Sequence, residues 1–217
     1  MGALALVRDP PSLGGRSLTV WSAPLGAPAG LSLGSAPTTP ADVRARSADL
    51  TIPESTTIIE YLDDLAAGGP RLVPADRAAA LQARVWDRFF DQHVAVPMQK
   101  IVGDRLRPEG RNDPEGVAEA RHTLDTAYAV LEGHIAQRTW AAGAAFTVAD
   151  CAAAPALFYT RAVHRWNQDG QPNITRYYRD LMARGSFARV VDEARPWRGI
   201  FPLPWPADMD DLDPARS

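Results

Sequence analysis

The sequence predicts an α+β fold that is mostly helical, with a short β/α segment followed by a bundle of about five helices. Three observations support this prediction. Residues 1–49 contain 6 glycines and 6 prolines, which interrupt the segment too often for a long helix. Residues 50–52 form a short β-type run, and from residue 54 onward apolar residues recur at helical spacing over most of the chain.

The composition is that of an ordinary globular protein and argues against several functional classes. With 23 Lys and Arg against 26 Asp and Glu, the net charge is −3, so we expect no nucleic-acid partner and no membrane attraction. No apolar run is long enough to span a bilayer. The single cysteine, Cys151, and four scattered histidines form no metal-binding pattern, so we expect no metal and a cytoplasmic location.

The first 49 residues are predicted to be irregular or ordered only in part. Their one strand-like run is residues 17–21, where β-branched and aromatic residues lie between turn formers. The segment contains no Glu and no Lys, and no amphipathic helix follows the strand-like run. It is too short to hold a strand, a helix, a second strand and a second helix in turn.

Residues 50–70 are predicted to form one strand and one helix. The strand at residues 50–52 stops at Pro53, because proline cannot donate a hydrogen bond to a neighbouring strand. The helix covers residues 54–67 and ends at the Gly-Gly-Pro sequence of residues 68–70. Its apolar stripe consists of Ile58, Leu62 and Leu65.

Residues 75–205 are predicted to be all helical. The first helical region covers residues 75–105, and we expect Pro97 to kink or break it, because proline lacks the N–H that a helical hydrogen bond needs. The next helix begins after Asp113, an N-cap carboxylate that precedes a proline at the first helical position. The end of the chain is predicted to contain helices at residues 174–183 and 187–194, an extended segment, and a flexible polar tail at residues 206–217.

The clearest local signal is a helix start that follows Phe146. Thr147 can cap the backbone N–H of Asp150, and Asp150 can reach back to the N–H of Thr147, as in a capping box. Phe146 and Cys151 occupy the hydrophobic staple positions, so we expect Cys151 to be a small buried residue and not a nucleophile. The helix should continue through Pro155 with a bend.

The junction at Glu54 and Ser55 is a candidate binding site on chemical grounds. The first turn of a helix carries unpaired N–H groups and a partial positive charge, which together attract an anion. Ser55 could donate its hydroxyl to a carboxylate, and Glu54 could hold an ammonium group nearby. A ligand with both groups on one carbon would satisfy the pair. The alternative is an ordinary helix start with acid and serine at favoured positions.

Several motifs, read together in chain order, resemble those of the glutathione S-transferases. The Pro-Glu-Ser sequence at residues 53–55, followed by Ile-x-x-Tyr-Leu, resembles the start of the last helix of that family's thioredoxin-like domain. Residues 146–150 look like the capping box of its C-terminal domain, and residues 84–91 are similar to the first bundle helix of bacterial members. The order and spacing agree over residues 50–205.

The resemblance implies a particular domain organisation. A truncated thioredoxin-like domain would occupy residues 1–49 as an irregular segment and residues 50–70 as its final strand and helix. An all-helical C-terminal domain of the glutathione S-transferase type would follow at residues 75–205. The resemblance also implies a homodimer, with glutathione as a co-substrate and a small electrophile as its partner in the reaction.

The resemblance also assigns roles to individual residues. In the family the Glu-Ser pair, after its proline, binds the γ-glutamyl end of glutathione. Pro53, Glu54 and Ser55 would therefore form this site, with Glu54 meeting the amino group and Ser55 the carboxylate. Thr147 and Asp150 would be structural and would take no part in the chemistry.

The aromatic cluster of Trp86, Phe89 and Phe90 has two interpretations. It could line a pocket for an apolar electrophile. Aromatic residues at helical spacing are more often part of a plain core, and this is the alternative.

The first domain departs from the family pattern. Members supply a Tyr, Ser or Cys near the end of the first strand, which contacts the glutathione sulfur, and a Val-Pro further on. Ser22 would be the catalytic candidate, and Thr39-Pro40 would stand in place of the Val-Pro. One hypothesis is a frame-shifted or misassigned start, because a shifted GC-rich frame would be rich in Ala, Arg, Gly, Pro and Ser. The other is a genuine deletion.

Two functions follow from these observations. The first is a glutathione transferase that joins the glutathione thiolate to a small electrophile. The second is a non-catalytic binding or scaffold module that keeps the fold and has lost the thiol-activating residue.

Overall fold

The computed structural model describes residues 18–21, 44–47, 50–65 and 71–215. Its contacts divide the chain into two compact units, Met1–Val73 and Pro74–Ser217. Three short strands and one helix are described in the first unit, and the second is helical. The mostly helical α+β fold class that the sequence predicts is confirmed.

The described strands of the first unit form an antiparallel sheet in the order β1-β2-β3. They are β1, Leu18–Trp21; β2, Arg44–Ser47; and β3, Leu50–Pro53. β1 and β3 coincide with the two runs that the sequence marks as strands. The sequence does not reveal β2, because its Arg-Ala-Arg-Ser sequence lacks the β-branched and aromatic residues that favour strands. β2 is stabilised instead by its pairing with β3, which follows in the chain after residues 48–49.

The helix of the first unit, α1, spans Ser55–Leu65 and buries Ile58 and Asp63. Asp63 accepts hydrogen bonds from the backbone N–H groups of Leu72 (2.8 Å) and Val73 (3.1 Å) and from Nε of Arg71 (2.9 Å). Burial alone would raise the pKa of Asp63, but these donors together lower it below its ordinary value. One buried carboxylate thus ties residues 71–73 to α1.

In the part of the helical unit that the structure describes there are six α-helices, and one π-helical turn, Phe90–Ala95, connects the first two. A short 3-10 helix, Arg195–Ile200, follows the last of them, where the sequence predicts an extended segment. Among the described residues, no helix combines the length and the apolar character needed to cross a membrane. The α-helices are α2, Arg77–Phe89; α3, Val96–Arg105; α4, Pro114–Ile135; α5, Val148–Val163; α6, Pro172–Met182; and α7, Gly185–Ala194.

The break that the sequence predicts at Pro97 takes the form of the π-helical turn between α2 and α3. The N–H of Val96 donates to the carbonyl of Asp91, five residues back, and Pro97 lies buried in the first turn of α3. Proline has no N–H and its ring clashes with the carbonyl four residues before it, here that of His93. The wider π turn accommodates both constraints without ending the helical path.

The core of the helical unit is formed mainly by α2, the π-helical turn, α4, α5 and α6. α4 begins at the predicted Asp113 cap, whose side chain accepts from the N–H of Gly116 at 2.8 Å. α5 continues through Pro155 as expected. The apolar residues that face one another here are fully buried, and they include Leu124, Leu131, Ile135, Leu157, Ile174 and Leu181.

Residues 206–215, which we name the acidic strap, do not form the flexible tail that the sequence predicts. Met209 and Leu212 are only 2% and 3% exposed, so the segment is packed. Its aspartates pair with arginines of α5, of the loop that follows α5 and of the 3-10 helix. The prediction is wrong because it rests only on the local polarity of the tail. The arginines that pair with the strap lie 12 to 50 residues away in sequence.

Candidate functional site

The candidate site at the start of α1 is marked by an unusual backbone conformation. Glu54 lies between β3 and α1 with a φ of 72°, and it is the one non-glycine residue with positive φ in the part of the chain that the structure describes. For a residue with a Cβ this conformation costs about 1–3 kcal/mol and persists where the surrounding structure imposes it, often at functional sites. A glycine would fit this turn without strain, so the Glu54 side chain is a candidate functional group.

Two hydrogen bonds hold the turn in place. The carbonyl of Glu54 accepts from the N–H of Ile58 and from Oγ1 of Thr57, both at 3.0 Å. These bonds fix the backbone of Glu54 as the cap of α1, while the residue itself stays exposed. The first turn of α1 therefore holds Glu54 in its strained backbone conformation.

The tip of α1 has the electrostatic character of an anion site. Ser55 is the first helical residue and is half-buried. Within α1, all of whose residues are described, the first turn carries no acidic side chain. The partial positive charge of the N–H groups is therefore not offset inside the helix. Glu54, one residue before the helix, brings a carboxylate to this end, so a group suited to a cation lies beside one suited to an anion.

The aromatic cluster at the end of α2 and the start of the π-helical turn lies mainly in the core of the helical unit. Phe90 is fully buried and stacks on Tyr177, with 6.5 Å between ring centroids. Trp86 is 9% exposed and stacks on the His134 ring at 3.6 Å. The pocket prediction is therefore corrected for Phe90 and Trp86, because both rings are taken up by core contacts. Phe89 is half-buried and stays a prediction.

Thr147 and Asp150 form a capping box at the start of α5. Oδ2 of Asp150 accepts from the N–H of Thr147 at 2.8 Å, and Oδ1 accepts from the N–H of Ala141 at 2.8 Å and from the hydroxyl of Tyr177 at 2.6 Å. Burial raises the pKa of Asp150, although these hydrogen bonds act in the opposite direction. The carboxylate thus joins three separate parts of the bundle. The sequence shows only the contact with Thr147.

Two comparisons decide the family. A family model described as "Glutathione S-transferase, C-terminal domain" matches residues 114–180, which run from the start of α4 into α6. The FtsZ-localized protein A of Caulobacter vibrioides is 31% identical over 172 residues, covering 76% of this chain and 72% of that protein. The chain belongs to the glutathione S-transferase family. The resemblance that the sequence motifs suggest is confirmed.

Other members of the glutathione S-transferase family agree with this assignment. The glutathione S-transferase GstB of Escherichia coli K12 is 27% identical over 151 residues, covering 69% of this chain and 71% of its own. The glutathione S-transferase of Methylobacillus flagellatus KT, solved with glutathione bound, is 26% identical with a TM-score of 0.59. That likeness covers 64% of this chain and 69% of the relative. Binding of glutathione is thus a property of at least one structural relative.

Several residues that the family pattern assigns to the site lie where the structure gives no geometry. Ser22, Thr39 and Pro40 fall outside the described residues, so the sulfur-contacting residue and the Val-Pro equivalent stay predictions. Pro53 is the last residue of β3 and pairs in register with Arg44 of β2. The described residues contain no group of three or more His, Cys, Asp or Glu side chains that could hold a metal ion.

Proposed function

We propose that this protein is a glutathione-dependent transferase that binds the γ-glutamyl end of glutathione at the tip of α1. The observation that carries the proposal is the left-handed Glu54 immediately before Ser55, at the amino end of a helix. This turn keeps a carboxylate beside an amide-rich helix start in spite of its backbone cost. Membership of the glutathione S-transferase family supports the same ligand.

Each polar group of the γ-glutamyl end has a partner of suitable charge in this proposal. The α-carboxylate accepts hydrogen bonds from the hydroxyl of Ser55 and from N–H groups of the first turn of α1. The α-ammonium pairs with the carboxylate of Glu54. A dipeptide that lacks the γ-glutamyl group loses both contacts, so the site would distinguish glutathione from shorter thiols.

The reaction that we propose is nucleophilic substitution by the glutathione sulfur. The thiol loses its proton to solvent, and hydrogen-bond donors near the sulfur lower its pKa. The thiolate then attacks an electrophilic carbon, a C–S bond forms, and the leaving group departs with the bonding electron pair. Ser22 is the proposed donor to the sulfur. In this scheme the protein supplies positioning of the thiolate and stabilisation of the developing negative charge.

The binding step is tested by titration calorimetry of the full chain with glutathione. The Ser55→Ala variant should bind glutathione about tenfold or more weakly, because it loses a hydrogen bond to a charged group worth about 1.5–3 kcal/mol. Ser186→Ala is the matched control, since Ser186 is an exposed serine in the first turn of α7, and it should bind like the unmodified chain. Equal affinities in all three proteins would remove Ser55 from the site.

Turnover is tested separately with a chloronitrobenzene substrate. A transferase releases chloride and forms the thioether in proportion to protein concentration. The Ser22→Ala variant should keep glutathione affinity and lose most of the turnover if Ser22 contacts the sulfur. Turnover that is unchanged in this variant would assign the thiol contact to another residue.

A second candidate function is a non-catalytic binding or scaffold module on the same fold. The observation that favours it is the likeness to the FtsZ-localized protein A, whose name describes an association and not a reaction. Such a protein would bind glutathione without turnover, or would bind neither glutathione nor the electrophile. The calorimetric and turnover experiments above separate the two functions.

We also propose that the protein is a homodimer and that it acts in the cytoplasm, as the family membership suggests. Light scattering coupled to size-exclusion chromatography at two protein concentrations gives the mass of the assembly directly. A monomeric mass at both concentrations would contradict the proposed dimer.

A further inference from the structure

The acidic strap lies on a set of arginines that we name the arginine face. They are Arg161 of α5, Arg165 in the loop that follows α5, and Arg195 and Arg198 of the 3-10 helix. Four aspartates of the strap meet these four arginines at distances between 2.5 and 3.0 Å. The ion pairs are Asp208 with Arg165, Asp210 with Arg195 and Arg198, Asp211 with Arg161, and Asp213 with Arg195.

Arg161 lies at the bottom of this face and is 1% exposed. Its guanidinium lies over the rings of Tyr178 and Trp166, 5.1 and 5.6 Å from their centroids. On its other side Nη2 donates to Asp211 at 2.5 Å and Nη1 donates to the carbonyl of Met209 at 3.1 Å. A guanidinium that is removed from water requires a compensating anion. Pairing of Arg161 with a carboxylate is therefore strongly favoured over leaving Arg161 without an anionic partner.

The strap supplies that anion through its side chains and not through a regular backbone structure. Its backbone hydrogen bonds are short-range turns, in which the N–H groups of Met209, Asp211 and Asp213 donate to carbonyls three residues back. Only Met209 and Leu212 add apolar burial at its centre. A segment that forms similar turns and presents carboxylates and a few apolar side chains at similar spacing can make the same contacts.

We propose that the arginine face is a receptor for an aspartate-rich peptide segment of a partner protein, and that the strap occupies it in cis until such a segment displaces it. The face and an acidic segment have complementary charges, since the face offers four guanidiniums. Exchange of one acidic segment for another leaves Arg161 with an anionic partner. A nucleic acid would offer phosphates but not the apolar side chains that replace Met209 and Leu212. This inference does not depend on the proposed transferase function.

The test uses the full chain and a fluorescein-labelled peptide with the sequence of residues 206–215, followed by fluorescence anisotropy. The Asp208→Asn/Asp211→Asn variant weakens the contact of the chain's own strap with the arginine face. It should therefore bind the added peptide about tenfold more tightly than the unmodified chain does. The control, Asp169→Asn/Glu193→Gln, removes two exposed acids outside the strap and should bind like the unmodified chain. Equal affinity of the strap variant and the control, or absence of saturable binding, overturns the proposal.

A second measurement needs no variant of the strap. Hydrogen exchange of the unmodified chain is followed with and without an excess of the unlabelled peptide. Displacement predicts faster exchange at the N–H groups of Met209, Asp211 and Asp213 when the peptide is present, while α4 is unaffected. Unchanged exchange in the strap at peptide saturation contradicts displacement. An oligonucleotide that accelerates this exchange as effectively as the peptide overturns the assignment of the partner as an acidic protein segment.

Discussion

The hydroxyl of Tyr177 on α6 donates a 2.6 Å hydrogen bond to the carboxylate of Asp150 on α5, and both residues are fully buried. Burial and the neighbouring carboxylate raise the pKa of Tyr177 well above its ordinary value, so the phenol stays a donor. Because Asp150 also caps α5 and holds the N–H of Ala141, the contact with Tyr177 connects the helix start to the far side of the core.

Removing this hydrogen bond should destabilise the helical unit. The Tyr177→Phe variant should lose about 1–3 kcal/mol of unfolding free energy, since a buried carboxylate keeps its desolvation cost and loses one donor. Urea denaturation followed by circular dichroism measures the change. Tyr159→Phe is the control, because Tyr159 is half-buried and stacks on Phe201 through its ring, and it should change the free energy by less than about 0.5 kcal/mol. Equal effects of the two substitutions would contradict the claim that the hydrogen bond from Tyr177 to Asp150 stabilises the helical unit.

Asp63 and Asp64 offer a matched pair for the connection after α1. Both carboxylates bond to Arg71, but Asp63 is 4% exposed and also accepts from Leu72 and Val73, whereas Asp64 is 72% exposed. We expect Asp63→Asn to cost about 1–3 kcal/mol and to accelerate exchange of the Leu72 and Val73 amides.

The control substitution, Asp64→Asn, removes a surface ion pair worth about 0–1 kcal/mol. It should leave the exchange of the Leu72 and Val73 amides unchanged. The same effect from both substitutions would show that the buried hydrogen bonds to the 71–73 segment do not anchor it.

Glu54 should show opposite effects on stability and on binding. Glycine adopts a positive φ at little cost, so Glu54→Gly should leave stability unchanged or raise it by about 1 kcal/mol. The same variant loses the carboxylate proposed to pair with the ammonium of glutathione and should bind glutathione more weakly. Thermal denaturation and calorimetry on the same sample measure the two effects.

The control for this substitution is Glu193→Gly, on the exposed side of α7. It should cost about 0.5–1 kcal/mol, because glycine is unfavourable in a helix, and it should leave glutathione binding unchanged. A clear loss of stability in Glu54→Gly would mean that the left-handed turn is not strained. Unchanged glutathione binding would remove the Glu54 side chain from the site.

The sequence predicts those parts of the fold that local chemistry determines. Asp113 followed by proline predicts the start of α4 to the residue, and the capping box does the same for α5. β2 could not be predicted, because its stability comes from pairing with β3 and not from its own residues.

The candidate site shows the same division between local and long-range information. The helix start at Ser55 follows from the sequence, whereas the left-handed φ of Glu54 appears only in the structure, since no glycine marks the turn. The contact of Arg161 with Asp211 spans 50 residues, and a polar tail gives no sign of its partners. Burial of Phe90 depends on its contact with Tyr177 of α6 across the π-helical turn, which helical spacing alone does not specify.

The docking of the acidic strap should depend on pH. Hydrogen bonds from Arg165 lower the pKa of Asp208 to about 2, and those from Arg198 and Arg195 lower the pKa of Asp210 to about 2. A carboxylate whose pKa is lower in the folded state contributes stability above its unfolded value, here 3.8, and loses that contribution as the pH falls towards 2. The protection of the strap amides, measured relative to the intrinsic exchange rate at each pH, should therefore fall between about pH 4 and pH 2.

The variant Asp208→Asn/Asp210→Asn tests the assignment of this transition. Its strap amides should exchange faster at neutral pH, and the acid-dependent change should be reduced, since the two titrating carboxylates are gone. An acid transition of unchanged size in this variant would show that other groups control the docking of the strap.

The central claim is that the tip of α1 recognises the γ-glutamyl group of glutathione. The most direct measurement is a calorimetric comparison of glutathione with the dipeptide Cys-Gly, in the unmodified chain and in Ser55→Ala. The unmodified chain should bind glutathione at least about tenfold more tightly than Cys-Gly, since the dipeptide lacks both charged groups that the tip contacts. This preference should shrink in Ser55→Ala. Equal binding of the two ligands by the unmodified chain, or a preference that Ser55→Ala leaves intact, would contradict the claim.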